Sequence, residues 1–93
     1  MILGKVIGTV WSTRKDEALV GAKFLIVRQL DLEYKPKDAT MIAVDSVGAG
    51  VGEVVIVAQG SSARQTTVTK NKPVDAVVMA IVDKLDISVN DNL

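Results

Sequence analysis

Three glycines at alternate positions, Gly48, Gly50 and Gly52, separate two short apolar runs in the middle of this chain. Glycine adopts positive φ values without steric penalty, and a tight connection between two strands requires such values. The pattern therefore predicts strands over 41–47 and 53–58, joined by a glycine turn.

The remainder of the chain also has strand character. A polar segment around Pro36 predicts a loop over 33–40, because proline cannot donate a hydrogen bond to a sheet. The apolar run that follows Pro73 is compatible with a buried helix, but its valine and isoleucine content favours a strand, with a single helical turn at 73–76 before it. Further strands are predicted over 2–13, over 24–27 with an extension towards 32, over 74–82 and over 84–89.

One short helical turn is expected at residues 60–64, where Ser61 or Ser62 can cap free backbone N–H groups. The β-branched residues after this turn discourage a longer helix. Residues 14–17 are expected to form a charged loop, and 90–93 a frayed tail. Five or six short strands and one short helix predict an all-β chain, a small five-stranded OB-like β-barrel forming a single domain over 1–93.

The composition indicates that this barrel buries part of its apolar surface against other subunits. Of the 93 residues 48% are hydrophobic but 3% are aromatic, so the core is expected to consist of aliphatic side chains. A chain of this size buries a modest fraction of its surface. Since large exposed apolar patches usually mark interfaces, we expect part of the aliphatic surface to be buried against other subunits.

The sequence contains no residue pattern typical of a catalytic, cofactor-binding or metal site. Cysteine is absent, which excludes disulfides and thiolate metal sites. Histidine is absent too, which removes the commonest general base and the commonest metal ligand. A metal site built from Asp45, Glu53 and Asp75 has no supporting pattern. The glycine turn departs from a dinucleotide fingerprint, because Glu53 stands in place of the third glycine and a strand follows it. We therefore expect no catalysis, no cofactor and no metal.

An OB-like barrel raises the alternative of a module that binds single-stranded nucleic acid. Such modules combine a basic groove with aromatic stacking platforms. Here 11 basic residues balance 11 acidic ones. Trp11 and Phe24 are interpreted as packing residues, and Tyr34 as part of a polar loop. No membrane-spanning run or signal peptide is recognised, so neither nucleic acid nor membrane is the expected partner and a cytoplasmic protein is expected.

Arg64 is the residue most indicative of an interaction surface. It follows Gly60-Ser61-Ser62-Ala63, small residues that allow another backbone to approach closely. Arginine is enriched at interfaces, where its planar guanidinium binds carbonyl and carboxylate groups. An exposed arginine without a role is the alternative interpretation.

Four stretches follow one another along the chain: 8–13 with Lys15 following, 44–53, 60–64 and 73–83. In this order they resemble one family, the pentameric vertex proteins of bacterial microcompartment shells (the EutN/CcmL family). The similarity covers nearly the whole chain. Carboxysome, ethanolamine and propanediol members look alike at this level.

The resemblance implies a five-stranded barrel that assembles into homopentamers. In this family the pentamers are understood to occupy the fivefold corners of a shell whose flat layers consist of hexameric shell proteins. It further implies a structural role within a cytoplasmic microcompartment shell. Candidate contacts to hexamers are Ser61, Ser62 and Arg64, with Thr13 and Lys15 as weaker candidates, and the candidates for a loop at the fivefold axis are Gly48, Ala49 and Gly50.

Overall fold

The computed structural model describes residues 1–88, which form a closed five-stranded β-barrel. The strands follow one another around the barrel in the order β1-β2-β3-β5-β4, and β4 returns to β1. The neighbours pair antiparallel except β3 and β5, which run parallel. The predicted all-β OB-like barrel is confirmed. The strands are β1 (Ile2–Val10), β2 (Phe24–Leu30), β3 (Pro36–Asp45), β4 (Val54–Gln59) and β5 (Ala76–Ile81), with 3-10 turns at Glu17–Leu19 and Gly60–Arg64.

The barrel interior is aliphatic, as the composition indicates. Alternate residues of β2, Leu25 and Val27, and of β4, Val55 and Val57, are fully buried because successive side chains of a strand point to opposite faces. A second buried cluster lies beneath the Gly60–Arg64 turn, and it consists of Val44, Ala58, Ala63, Val74 and Val77.

The parallel contact between β3 and β5 closes the barrel. Val44 and Asp45 of β3 pair with Val77 and Val78 of β5. Ser46 extends the contact, since its backbone N–H donates to the carbonyl of Val78 at 3.3 Å and its Oγ donates to the same carbonyl at 2.6 Å. Backbone and side chain of one residue therefore reinforce a short seam.

The first strand is shorter than predicted. It ends at Val10 instead of residue 13, because Val10 already pairs with Phe24, the first residue of β2. After this pair the chain leaves the sheet. The charged segment that follows contains a 3-10 turn at Glu17–Leu19 that is not predicted from the sequence. Asp16 accepts a hydrogen bond from the N–H of Ala18 at the start of this turn.

The predicted loop over 33–40 is wrong for its second half, because β3 already begins at Pro36. Proline is tolerated at the first residue of a strand, where its missing N–H is not needed by the ladder. The β2–β3 connection is a tight turn in which Asp31 Oδ1 accepts the N–H groups of Glu33 and Lys35, at 2.8 and 3.0 Å. The N–H of Lys35 is the main cause that lowers the pKa of Asp31.

The C-terminal predictions are partly confirmed. The 74–82 run is a strand, not a helix, but β5 spans Ala76–Ile81 and 73–76 form no helical turn. No strand occurs at 84–88 among the described residues, and Val89 lies outside them, as does the predicted 90–93 tail. Closure of the barrel leaves no neighbour for a sixth strand here, and the N–H of Leu85 donates instead to the hydroxyl of Tyr34 at 3.0 Å.

Gly4 of β1 lies directly against Val27 and Arg28 of β2. A Cβ atom placed at Gly4 would overlap Val27 Cγ1 and would lie 3.0 Å from the carbonyl oxygen of Arg28. At Gly8 in the same strand, a Cβ atom would lie 3.4 Å from the flexible end of Ile26. The two glycines therefore provide a matched pair for testing the packing of the barrel.

We expect Gly4→Ala to lower the free energy of unfolding by about 1–3 kcal/mol, because the added methyl group overpacks a closed core. Gly8→Ala should change it by less than about 1 kcal/mol. Urea denaturation of both variants at one protein concentration measures the difference. Equal shifts for the two variants would contradict the close approach at Gly4.

Candidate functional site

The glycine turn between β3 and β4 is held by a carboxylate at each end. Asp45 Oδ1 accepts the N–H groups of Val47, Gly48 and Ala49 at 3.1, 3.1 and 3.2 Å. Glu53 Oε1 accepts the N–H of Gly50 at 2.6 Å. Four consecutive backbone donors thus have side-chain partners, and the turn has one defined shape.

The side chains of this turn divide between the core and the surface. Ala49 is fully buried within the barrel core, and Lys23 Nζ donates to its carbonyl at 3.2 Å. Val47 and Val51 are exposed on either side. Of the three residues proposed for an axis loop, Gly48 and Gly50 can therefore offer backbone to a neighbour, whereas the methyl group of Ala49 cannot. The location of this turn relative to a fivefold axis stays a prediction.

The Gly60–Arg64 turn follows β4 directly and presents both of its serines to solvent. The prediction that Ser61 or Ser62 caps the turn is wrong. The turn begins at Gly60, whose φ is +65°, so the capping position belongs to Gln59, which makes no side-chain cap bond. The hydroxyl groups of both serines lie within an exposed turn.

Hydrogen bonds join the Gly60–Arg64 turn to the segment that follows it. Thr69 is fully buried, and its Oγ1 donates to the carbonyl of Ala63 and lies 2.5 Å from Thr66 Oγ1. Arg64 Nη1 donates to the carbonyl of Val74 at 3.1 Å, which ties the turn to the residues just before β5. Thr69 is not among the residues predicted from the sequence. A lone polar residue between two loops gives no signal of burial.

Arg64 lies beside an open groove of about 660 Å³ on the surface of the subunit. Lys15 borders a second groove of about 380 Å³, and its Nζ lies 5.4 Å from the centre of the Phe24 ring. A third groove, of about 250 Å³, shares Phe24 with the second and Pro73 with the first. Arg64 and Lys15 therefore border different grooves, and the third groove has a residue in common with each of them. Thr13 is exposed in the loop before Lys15.

Trp11 departs from its interpretation as a packing residue. It is 91% exposed at the end of β1, and it borders the groove that contains Lys15. Phe24 is half-buried against the second hydrophobic cluster, in agreement with its interpretation. Tyr34 lies in the β2–β3 turn with φ of +64°, as a loop residue.

No cluster of acidic side chains able to hold a metal ion occurs among residues 1–88. Asp45 and Glu53 are instead engaged with the backbone of the glycine turn. Within the same part of the chain, none of the helical segments has the length and apolar character needed to cross a membrane.

Comparison with known proteins identifies the family. A family model described as "Ethanolamine utilisation protein EutN/carboxysome" matches residues 1–83. The chain belongs to the EutN/CcmL family. The EutN/CcmL match contains all five strands and both the glycine turn and the Gly60–Arg64 turn.

Curated and solved members of the EutN/CcmL family agree with this assignment. The chain is 52% identical to the bacterial microcompartment shell vertex protein GrpN of Rhodospirillum rubrum, over 92% of this chain and 97% of the relative. A structure named GrpN pentameric microcompartment shell protein superposes with a TM-score of 0.86 at 50% identity, covering 95% of this chain and all of the other. The structure of Gloeobacter violaceus CcmL gives 0.88 at 41% identity, covering 94% and 90%.

Asp45 is expected to be the main determinant of the glycine turn in this EutN/CcmL member. Asp45→Ala leaves three backbone N–H groups without their acceptor, so we expect a loss of about 1–3 kcal/mol in the free energy of unfolding. Lys23 adds little to this value, because its Nζ is 4.0 Å from Asp45 Oδ2 and its side chain is 54% exposed.

Asp45→Asn is the matched control, since it retains Oδ1 as an acceptor and should lose less stability than the alanine variant. Chemical denaturation at a fixed protein concentration measures both variants. Equal losses in the two would mean that the negative charge, and not the hydrogen bonds of Oδ1, stabilises the turn.

Proposed function

We propose that this protein is a structural shell protein whose homopentamers occupy the fivefold vertices of a bacterial microcompartment in the cytoplasm. The observation that supports this most directly is the similarity in backbone and sequence, over nearly the entire chain, to a pentameric microcompartment shell protein. The role is geometric. A layer of hexamers needs fivefold units to close into a polyhedron, and hexameric shell proteins are therefore the proposed partners.

The exposed surface of a single subunit supports assembly into a ring. Exposed aliphatic side chains occur on several strands and turns, among them Ile7 on β1, Ile42 on β3 and Val51 in the glycine turn. Apolar area of this kind is stabilised when a neighbouring copy covers it. A head-to-tail interface of identical subunits forms a closed ring when its rotation sums to a full turn.

Contacts to hexamers are proposed at Ser61, Ser62 and Arg64, with Thr13 and Lys15 as secondary positions. The two serines are exposed, and the hydrogen bonds of Thr69 and Arg64 fix the backbone that presents them. A surface that is ordered before binding loses less conformational entropy on association. The glycine turn, with Gly48 and Gly50, remains the proposed candidate for the fivefold axis.

We propose no enzymatic activity. The alternative, a module that binds single-stranded nucleic acid, has support from exposed Trp11 in a groove with Lys15 and Lys23. Phe24 lines the same groove, but it is half-buried and Lys15 lies over its ring. Tyr34 lies in the β2–β3 turn, where its hydroxyl accepts the N–H of Leu85. One free ring gives a poor stacking platform, so the shell function is favoured.

Native mass spectrometry of the purified protein should reveal a species with five times the 9.9 kDa mass of the chain. The expected ring is obligate, so it should persist on dilution into the low micromolar range. A stable monomer or dimer at all concentrations would contradict the vertex function.

Arg64→Glu should leave the pentamer intact but reduce its incorporation into shells by about tenfold when it is co-expressed with a hexameric shell protein, since a repelling charge then faces the partner. Lys37→Glu reverses an exposed charge on β3 and should have little effect. Quantifying both variants in purified shells by gel densitometry measures this. If Arg64→Glu abolishes the ring, Arg64 belongs to the contact between pentamer subunits instead.

A further inference from the structure

The groove beside Arg64 differs in its chemistry from the rest of the surface. It is lined by three cationic side chains and two carboxamides, and no carboxylate is among the described residues that line it. This concentration of positive charge occurs in a chain whose formal net charge is zero. The lining residues are Arg64, Gln65, Lys70, Asn71, Lys72 and Pro73.

The three cations of this groove have no acidic partner within the described part of the subunit. The ion pairs found over residues 1–88 join Lys23 to Asp45 and Lys35 to Glu33. Arg64 uses Nη1 for the carbonyl of Val74, which leaves its other guanidinium donors directed to solvent or to a ligand. Unneutralised cations that share one groove favour a negatively charged occupant.

The backbone that presents these cations is ordered by local hydrogen bonds. The N–H of Lys70 donates to the carbonyl of Thr66 at 2.9 Å, and the N–H of Lys72 donates to the carbonyl of Thr69 at 2.9 Å. Asn71 between them has φ of +60°, a left-handed conformation that asparagine tolerates better than most residues. The two lysines are therefore held on one defined loop next to Arg64.

We propose that this groove binds an acidic peptide segment at the edge of a neighbouring shell protein. The inference rests on the proposed shell function, because Arg64, the last residue of the turn with Ser61 and Ser62, lines the groove. Arg64 can bind one carboxylate through two parallel N–H groups, whereas Lys70 and Lys72 act as point charges for further carboxylates. Gln65 and Asn71 can satisfy the backbone of the segment.

The lining of the groove favours a peptide over the two other anionic occupants. A volume of about 660 Å³ exceeds what one phosphate ion or one carboxylate fills, and three separate cations match a segment with several carboxylates. No aromatic ring lines the groove among residues 1–88, so nucleic acid would find no surface for base stacking.

Binding of a fluorescein-labelled hexaglutamate peptide to the full-length protein, followed by fluorescence anisotropy, tests the proposal. We expect binding at about 0.02 M salt that weakens strongly at about 0.15 M, where surface charges are screened over about 8 Å. Lys70→Glu combined with Lys72→Glu should weaken binding by about tenfold or more. Lys37→Glu, the same charge change on β3, should leave the affinity within about twofold.

A second variant, Lys70→Gln with Lys72→Gln, removes the two charges without adding repulsion and should give an intermediate affinity. Circular dichroism verifies that each variant is folded. Equal weakening by Lys37→Glu, unchanged binding in both double variants, or tighter binding of inorganic phosphate or of a labelled single-stranded oligonucleotide would each overturn the proposal.

Native mass spectrometry separates this inference from the shell function. The double variants should remain pentameric, because the groove is proposed to face a different protein and not the adjacent subunit of the ring. Loss of the pentamer in these variants would overturn the proposed location of the partner. A wild-type protein that is monomeric but still binds the peptide through Lys70 and Lys72 would refute the shell function and leave the groove chemistry standing.

Discussion

The short parallel seam between β3 and β5 is the contact on which the rest of the structure depends. It joins Val44 and Asp45 to Val77 and Val78, and Ser46 adds two hydrogen bonds to the same edge. Without it the antiparallel strands would form an open sheet. The glycine turn leaves the barrel directly after this seam, and the segment with Arg64 returns to the barrel directly before it. One short contact therefore positions both candidate surfaces relative to each other.

Both candidate surfaces are ordered by side chains that bind backbone groups. Asp45 and Glu53 satisfy the donors of the glycine turn, whereas Thr69 and Arg64 satisfy carbonyl groups around the Gly60–Arg64 turn. Rigid loops suit a protein whose proposed task is to fix an angle between neighbouring subunits. A flexible loop would lose conformational entropy each time it became ordered in a contact of the ring or of the shell.

Local sequence signals predicted the barrel well, because alternation, glycine spacing and aliphatic content all favour short strands. The limits were set by tertiary context. Pro36 favours a loop, yet it occupies the first position of β3, where the sheet needs no hydrogen bond from its missing N–H. The alternation of Leu85 and Ile87 predicts a strand, but the closed barrel has no free strand edge with which 84–88 could pair.

The candidate site was predictable at the level of Arg64 and its small neighbours, and less so beyond them. The approach of Lys70 and Lys72 to Arg64 depends on a loop whose shape is set by the buried Thr69, and no pattern in the sequence marks that residue as buried. Side chains that meet through loop geometry are the hardest to foresee from spacing alone.

The exposure of Trp11 has a practical consequence, because it is the single tryptophan of the chain. An indole surrounded by water emits at longer wavelength than one enclosed by protein. Trp11 is 91% exposed in the isolated subunit, where it lies at the rim of a groove bordered by Val10 and Phe24. Trp11 is therefore an intrinsic fluorescent reporter: a neighbouring protein that covers this rim would shift its emission maximum to shorter wavelength, without any added label.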